Sequence, residues 1–269
     1  MHLIDTHAHL VDERFRSELG AVLGRAAAAG VRQVVCVAVD GATTAAAIEL
    51  ASKHPGVFAA AGIHPNYAHL ASDEDWQAVV AAVEGGRAVA VGETGLDRHW
   101  DDCPWDVQIA NFTRHVALSR QTGVPLIIHC RECFPEMIAL LDSLAGGSPL
   151  SGVLHSFTGT AAEAEACVRL GLHIGFAGML TYKKSSELRE TAASVPAERL
   201  LVETDSPYLS PEPLRGKSPN EPARVVHTAA VLATCKKIPP GELASLTTEN
   251  ARRLFGRIDD SMLPKLTAA

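Results

Sequence analysis

Short runs of apolar residues recur along the chain, and longer alanine-rich stretches with one apolar face lie between them. The runs are rich in β-branched residues and nearly continuous in apolar residues, which is typical of parallel strands buried on both faces. We therefore predict eight strands: Leu3–Thr6, Gln33–Val39, Val57–Ile63, Ala88–Glu93, Pro125–His129, Gly152–His155, Leu172–Phe176 and Leu200–Thr204.

The stretches between these runs space their apolar residues three and four positions apart, as an amphipathic helix does. Thr160 with Glu163, and Ser72 with Asp75, are typical of helix starts. After the eighth strand, residues 206–220 are predicted to be irregular. The predicted helices are Glu18–Ala29, Ala42–Lys53, Asp73–Val83, Trp105–Gln121, Pro135–Ala145, Ala161–Leu170, Ser186–Ser194, Pro222–Lys236 and Glu242–Phe255.

Strands that alternate with helices indicate a parallel α/β architecture. Eight such units predict a single (β/α)8 TIM barrel with extra C-terminal helices. A barrel needs about 250 residues, so one domain over residues 1–269 would use nearly the whole chain. An open doubly wound sheet is the alternative, but no Gly-x-Gly-x-x-Gly follows any predicted strand.

The formal net charge of −7 argues against a broad basic surface for duplex nucleic acid. No charged N-terminal region precedes a long apolar run, and no run reaches the ~18 residues of a membrane-spanning helix. The six cysteines are too few and too scattered for a disulfide framework. We therefore expect a cytoplasmic protein with reduced thiols, without membrane association.

Histidines and carboxylates stand where the predicted strands end. They are His7, His9, His64, Glu93, His129, His155 and Asp205. The strand ends of a barrel share one rim, where barrel active sites form, so we expect these side chains to converge. His7 and His9 point the same way on an extended chain and can hold one ion together.

Apart from His64, the set offers four imidazoles and two carboxylates, which exceed the needs of one tetrahedral ion and suit two divalent ions with a bridging carboxylate. Imidazole-rich sites suit zinc or manganese better than magnesium, although the identity of the ions stays open. The predicted assignment uses all six: Glu93 bridges, His7, His9 and Asp205 hold one ion, and His129 and His155 hold the other.

Other candidate residues carry weaker signals. Cys130 and Cys133 form a Cys-x-x-Cys beside His129, but a single pair of this kind favours chance spacing over a redox or zinc site. The remaining histidines lack a strand-end position, so we expect them to be surface or structural residues: His2, His54, His69, His99, His115, His173 and His227.

Eight blocks of residues, in order and over nearly the whole chain, resemble the signature of the TatD family of metal-dependent deoxyribonucleases. They are Ile4–His9, Gly62–Pro65, Gly92–Asp97, Ile128–Arg131, His155–Gly159, Glu203–Leu209, Asn220–Pro222 and Asn250–Phe255. The resemblance implies a TIM barrel with a dinuclear site that hydrolyses DNA, often from 3′ ends. It implies the same six metal ligands and a substrate contact at His64.

The expected mechanism uses the ions to lower the pKa of a water from about 15.7 toward 7. Asp205 accepts its proton as general base while Glu93 bridges the ions. Arg131 and Lys183 are candidate cations for the phosphate. Glu203 points to the same side as Asp205 and is expected to orient a ligand histidine.

The expected partner is DNA, single-stranded or at 3′ ends, bound by a monomer with weak salt dependence and no protein partner. Aromatic residues in rim loops are candidates for base stacking: Tyr67, Trp100, Phe134, Phe157 and Tyr182. Two alternatives stay open. One is hydrolysis of another ester or amide bond, such as an aminoacyl-tRNA ester, a lactone or a cyclic amide. The other is a barrel that stores metal or binds a partner.

Overall fold

A computed structural model describes residues 2–258, and its centre is a parallel eight-stranded sheet in chain order. The strands are β1 Leu3–Ala8, β2 Val31–Val37, β3 Val57–Ala61, β4 Ala88–Asp97, β5 Leu126–Arg131, β6 Gly152–Leu154, β7 His173–Phe176 and β8 Leu200–Val202. A parallel bridge between Ala8 and Ser206 brings the first and last strands together. The predicted (β/α)8 barrel is confirmed.

Helices separate the strands and cover the outside of the barrel. They are α1 Leu19–Ala28, α2 Gly41–Lys53, α3 Asp73–Glu84, α4 Trp105–Thr122, α5 Phe134–Ala145, α6 Ala161–Arg169, α7 Ser186–Ser194, α8 Val225–Lys236 and α9 Pro240–Leu254. Helices α3 and α6 begin with the expected capping boxes, in which side chain and backbone exchange hydrogen bonds. Within residues 2–258, none of the helices combines the length and apolarity that crossing a bilayer requires.

The inside of the barrel is apolar over most of its height. Ile4, Ile127 and Leu201 point inward from their strands and pack with Phe255 and Ile258, which follow α9. Helix α9 therefore closes the end of the barrel at which the strands begin. The polar residues that remain inside are concentrated at the opposite, carboxyl-terminal end.

The prediction that the fourth strand ends at Glu93 is wrong. Strand β4 continues to Asp97, because residues 94–97 pair in register with residues 128–131 of β5. Gly95 permits this close pairing, since a Cβ there would lie 1.9 Å from the carbonyl oxygen of His129. Glu93 is thus held inside a strand, and a second carboxylate, that of Asp97, reaches the rim.

Candidate metal centre

The six residues predicted as metal ligands lie together at the carboxyl-terminal end of the barrel. Strands β1, β4 and β5 carry His7, Glu93 and His129, while the other three follow the ends of β1, β6 and β8. The set is largely buried: His7 is 0% exposed and Glu93 2%. The structure thus brings together side chains that are up to about 200 positions apart in the sequence, as barrel closure does in general.

Glu93 lies at the centre of the cluster, with its two oxygens directed at different histidines. Oε1 is 2.9 Å from His129 Nδ1 and 2.8 Å from His155 Nε2. Oε2 is 3.3 Å from His7 Nε2 and 3.6 Å from His9 Nε2. A carboxylate in this position can bridge two cations, one beside each pair of imidazoles.

The distances between the other nitrogen and oxygen atoms of the cluster show whether these residues could hold metal ions. The Nε2 atoms of His7 and His9 are 3.2 Å apart, and Asp205 Oδ1 lies 3.7 Å and 3.4 Å from them. His129 Nδ1 and His155 Nε2 are 3.3 Å apart. Nitrogen atoms that can each offer a lone pair crowd around shared carboxylate oxygens, which is a suitable donor set for divalent transition metals. The residues fit the predicted ions.

Hydrogen bonds on the far side of the rings orient two of the imidazoles. His9 Nδ1 donates to the carbonyl oxygen of Val37 at 3.1 Å. His129 Nε2 donates to Asp97 Oδ2 at 2.9 Å. In the neutral form of each ring, the other nitrogen therefore carries the lone pair and faces the cluster, as in known carboxylate–histidine–metal arrangements.

Asp97 is a site residue that the sequence analysis missed. Burial alone would raise the pKa of this carboxyl, but the hydrogen bond and charge of His129, together with the backbone N–H groups of Trp100 and His99, outweigh burial and lower the pKa. Asp97 also accepts hydrogen bonds from the backbone N–H groups of His99 and Trp100. The block from Gly92 to Asp97 contains this carboxylate, but only the extra length of β4 places it against His129.

Glu203 stands behind His155, on the side where the sequence predicted it. Its Oε1 is 3.5 Å from His155 Nδ1 and accepts a hydrogen bond from the backbone N–H of Ser156. Gly175 makes room for it, because a Cβ there would lie 2.6 Å from Glu203 Oε2. The carboxylate is close enough to His155 to influence its charge, although the contact is long for a hydrogen bond.

His64 differs from the other histidines of the cluster because the ring nitrogen that faces the site carries a proton in the neutral form. Its Nδ1 accepts a hydrogen bond from the backbone N–H of Asn66 at 3.1 Å, so the neutral ring carries its proton on Nε2. Burial lowers the pKa of His64 to about 3 and keeps the ring neutral. Nε2 lies 3.5 Å from Glu93 Oε1. This tautomer offers a hydrogen-bond donor to the site rather than a lone pair.

Charges within the cluster balance one another. Burial would raise the pKa of Glu93, but the imidazoles of His155, His64 and His7 hold it well below its ordinary value. Burial and the neighbouring His155 lower the pKa of His7. For His155 itself, Glu93 and Glu203 outweigh burial and raise the pKa well above its ordinary value. Protons on imidazoles therefore balance the carboxylates, and cations that bind here would displace them.

Backbone hydrogen bonds where β1 meets the segment after β8 position His7, His9 and Asp205 relative to one another. Asp205 donates its backbone N–H to the carbonyl oxygen of His7 at 2.9 Å, and His9 donates to that of Ser206 at 2.7 Å. Asp5 accepts hydrogen bonds from the N–H and hydroxyl of Thr204 at 2.8 Å and 2.6 Å. Burial raises the pKa of Asp5 to about 8. The hydrogen bonds between Asp5 and Thr204 were not predicted from the sequence.

The rim residues divide into exposed and buried groups. Arg131 ends β5 and Lys183 lies in the loop after β7, and both are exposed at this end of the barrel; the Arg131 guanidinium lies 6.0 Å from the centre of the Trp100 ring. Two of the stacking candidates, Phe134 and Phe157, are buried and pack against each other with ring centroids 4.9 Å apart. Tyr67, Trp100 and Tyr182 are at least partly exposed.

His115 serves the structure rather than the cluster, as expected. It is fully buried in α4, donates from Nδ1 to the carbonyl oxygen of Asn111 at 2.7 Å and accepts from the N–H of Ile63 at 3.1 Å. Burial lowers its pKa to about 3. Cys130 and Cys133 are buried free thiols whose Sγ atoms are 3.8 Å apart.

Comparisons with known sequences agree with this geometry. A family model described as TatD related DNase matches residues 4–256. YabD of Bacillus subtilis, an uncharacterized metal-dependent hydrolase, is 39% identical over 255 residues, which cover 94% of this chain and 98% of that protein. A 3′-5′ ssDNA/RNA exonuclease TatD of Erwinia tasmaniensis is 34% identical, covering 94% of this chain and 99% of that protein.

Solved structures lead to the same family. The crystal structure of YJJV, a TatD homolog from Escherichia coli K12, superposes with a TM-score of 0.88 at 32% identity, covering 94% of this chain and 98% of that one. A structure of an engineered lactonase template, at 19% identity and a TM-score of 0.62, shares the fold alone. The family model spans nearly the whole chain and several relatives exceed 30% identity, so this chain belongs to the TatD family of metal-dependent hydrolases.

Proposed function

We propose that the chain is a 3′–5′ exonuclease that hydrolyses phosphodiester bonds of single-stranded DNA, with two divalent ions at the cluster. The position of Glu93 carries this proposal, because its two oxygens face separate pairs of imidazoles. Two cations that shared this carboxylate would suit the in-line displacement at phosphorus, where both the attacking and the leaving oxygen carry charge. Relatives named 3′-5′ ssDNA/RNA exonuclease support the substrate class and extend it to RNA.

His7, His9 and Asp205 would hold one ion, His129 and His155 the other, and Glu93 would bridge them. When bound, such ions lower the pKa of water and stabilise the charge that develops on phosphoryl oxygens. The protein orients its imidazoles in advance through Val37 and Asp97. Because the donor set is rich in nitrogen, zinc or manganese suits it better than magnesium.

Asp205 is the proposed general base. Burial would raise the pKa of its carboxyl, but the hydrogen bond to His9 and the charge of His7 lower it. Asp205 is thus ionised at neutral pH and able to take the proton of the attacking water. His64 donates from Nε2 to a phosphoryl oxygen, since its Nδ1 is already engaged by Asn66.

The surroundings of the cluster favour a flexible strand end over an intact duplex. The ligands are recessed in the barrel, and His155 is only 5% exposed. A scissile phosphate must therefore enter the rim, which a single strand can do more readily than a stiff double helix. Arg131 and Lys183, both exposed at the rim, are available for the adjoining phosphates. With a net charge of −7, few further phosphate contacts are expected, so binding should depend only weakly on salt.

The deciding experiment measures metal content and cleavage together. We expect the wild type to bind two ions per chain by mass spectrometry and to shorten a 5′-labelled single-stranded oligonucleotide stepwise from its 3′ end. Glu93→Ala should lose at least one ion and the cleavage. Glu136→Ala, which removes an exposed carboxylate of α5, is the matched control and should behave as the wild type.

The outcomes separate the alternatives. Two ions without cleavage of any nucleic acid would contradict the nuclease and favour hydrolysis of another bond, with aminoacyl-tRNA esters, lactones and cyclic amides as the next substrates. A protein that binds ions but hydrolyses none of these would favour metal storage or partner binding. A single ion per chain in an active enzyme would contradict the bridging role of Glu93.

A further inference from the structure

Large apolar side chains that are well exposed occur at only one end of the barrel within residues 2–258. They are Tyr67, 46% exposed, Leu70, 70%, Trp100, 51%, and Tyr208, 49%. All four lie on the loops that follow β3, β4 and β8, on the rim that holds the cluster. A group of exposed apolar side chains around a buried polar site indicates a binding surface.

Tyr208 is the exposed side chain whose orientation is most firmly held. The guanidinium of Arg14 lies 4.5 Å from the centre of its ring. Arg14 is itself fixed by two hydrogen bonds to Asp12, from Nε to Oδ1 and from Nη2 to Oδ2, each 2.8 Å long. The backbone N–H of Tyr208 donates to the carbonyl oxygen of Asp205 at 2.9 Å. An aromatic ring is therefore held in place, yet half of it stays open to solvent.

The ring also lies beside the cluster. Its centroid is 6.0 Å from that of His9, with the two planes 72° apart. A phosphate at the cluster would thus place the base of its own nucleotide near Tyr208, because phosphate and base within one nucleotide are separated by a comparable distance.

Tyr67 occupies the corresponding position beside His64. It ends the short 3₁₀ turn Pro65–Tyr67, and its ring centroid is 5.9 Å from that of His64. Partial burial raises the pKa of the Tyr67 phenol, and the phenol of Tyr208 raises it further. The two tyrosines are therefore within electrostatic reach of each other, with one beside His9 and the other beside His64.

We propose that Tyr208, backed by Arg14, is the stacking surface for a nucleobase next to the scissile phosphodiester, with Tyr67 as a second stacking residue. The inference rests on the proposed nuclease function and specifies its substrate as a strand whose end bases are unstacked. Base–aromatic stacking accepts every base, because each base has a π-face. This surface therefore favours a single strand over a duplex but does not distinguish between sequences. In a duplex the same faces are covered by neighbouring bases.

The test compares two single-stranded oligonucleotides that differ only at the 3′ end. One has natural bases at its last two positions, and the other has abasic tetrahydrofuran residues there. For the wild type we expect a KM at least about fivefold lower on the natural strand, the smallest effect expected for one stacked base. Tyr208→Ala should raise KM on the natural strand by at least about fivefold while leaving the abasic strand unchanged.

Matched variants separate stacking from other causes. Tyr208→Phe keeps the ring and should retain the preference for natural ends. Glu249→Ala removes an exposed side chain of α9, at the opposite end of the barrel, and should match the wild type. If Tyr208→Ala fails to fold, Arg14→Met takes its place, with a smaller loss of the same preference. All variants should keep the wild-type metal content.

Two results would overturn the stacking role while leaving the nuclease intact. One is equal KM values of the wild type on both strands. The other is a loss in Tyr208→Ala that is as large on the abasic strand as on the natural one, which would mean that the ring only supports its loop. A wild type that binds ions but cleaves neither strand would instead overturn the proposed nuclease function, and the stacking role with it.

Discussion

Both ends of the barrel contain fully buried side chains, but these are of opposite kinds. At the end closed by α9, Ile4, Leu201 and Phe255 are 0–2% exposed and pack in one apolar cluster. At the other end, His7 and Glu93 are 0% and 2% exposed and face other ionisable groups. Burial alone therefore does not distinguish a core from a site, whereas the balance of charge does.

The two ends therefore contribute differently to the protein. Removing apolar surface from water stabilises the fold without any partner. Burying carboxylates and imidazoles is unfavourable unless protons, hydrogen bonds or cations compensate. The apolar end therefore contributes stability, and the polar end holds a cluster whose composition depends on pH and on metal.

The largest effect is expected for Glu93→Gln. The amide keeps the size of the side chain but loses the charge that faces the imidazoles, so two cations can no longer share it. We expect activity to fall by at least roughly 1000-fold and the metal content to fall below that of the wild type. Both are measured on the purified variant. Activity within tenfold of wild type, with full metal content, would contradict a bridging role.

Phe255→Ala should lower the stability of the fold but leave activity and metal content unchanged. Phe255 is fully buried at the apolar end, so its truncation leaves a cavity. We expect the free energy of unfolding to fall by about 3–5 kcal/mol, measured by urea denaturation, while kcat and metal content are unchanged. Phe255→Leu should cost less. A loss of metal in the folded variant would show that the two ends are not independent.

Asp97→Asn should weaken metal binding without destroying the site. The variant retains an oxygen for His129 but removes the charge that makes the imidazole a stronger ligand. We expect metal affinity to fall by about 10–100-fold, measured by competition with a chelator. Asp102→Asn, at an exposed position nearby, is the control. Unchanged affinity would mean that Asp97 only supports the end of β4.

The smallest effect concerns His115, a buried histidine outside the cluster. Its pKa is lowered to about 3 in the fold, against about 6.5 in an unfolded chain. Below pH 6.5 the unfolded chain takes up a proton that the fold excludes, so stability falls as the pH decreases. Between pH 7 and pH 5 this one group should remove up to about 2 kcal/mol from the free energy of unfolding.

The variant His115→Gln isolates that contribution. Its free energy of unfolding should be lower than that of the wild type at pH 7 but should decrease less between pH 7 and pH 5. Other titrating groups are common to both proteins and cancel in the comparison. An equal decrease in both proteins would contradict the lowered pKa of His115.

Much of the architecture could be predicted from the sequence, because buried parallel strands and amphipathic helices have distinct periodicities. The six cluster residues were also predictable, since each follows or ends an apolar run. The extension of β4 to Asp97 was not, because it depends on pairing with β5 rather than on local composition. The sequence could not separate Phe134 and Phe157 from the other stacking candidates for a similar reason: a rim position in the sequence does not say whether a ring faces solvent or its neighbour.

The link from Asp5 to Thr204 joins residues 199 positions apart and has a consequence for the order in which the molecule is completed. During synthesis His7 and His9 leave the ribosome long before Asp205 exists. Bringing the two ends of so long a chain segment together costs conformational entropy, though this cost grows only slowly with length. Docking of β8 beside β1 closes the barrel and delivers the last ligand in the same step. A nascent chain therefore has no complete cluster until its final strand is in place.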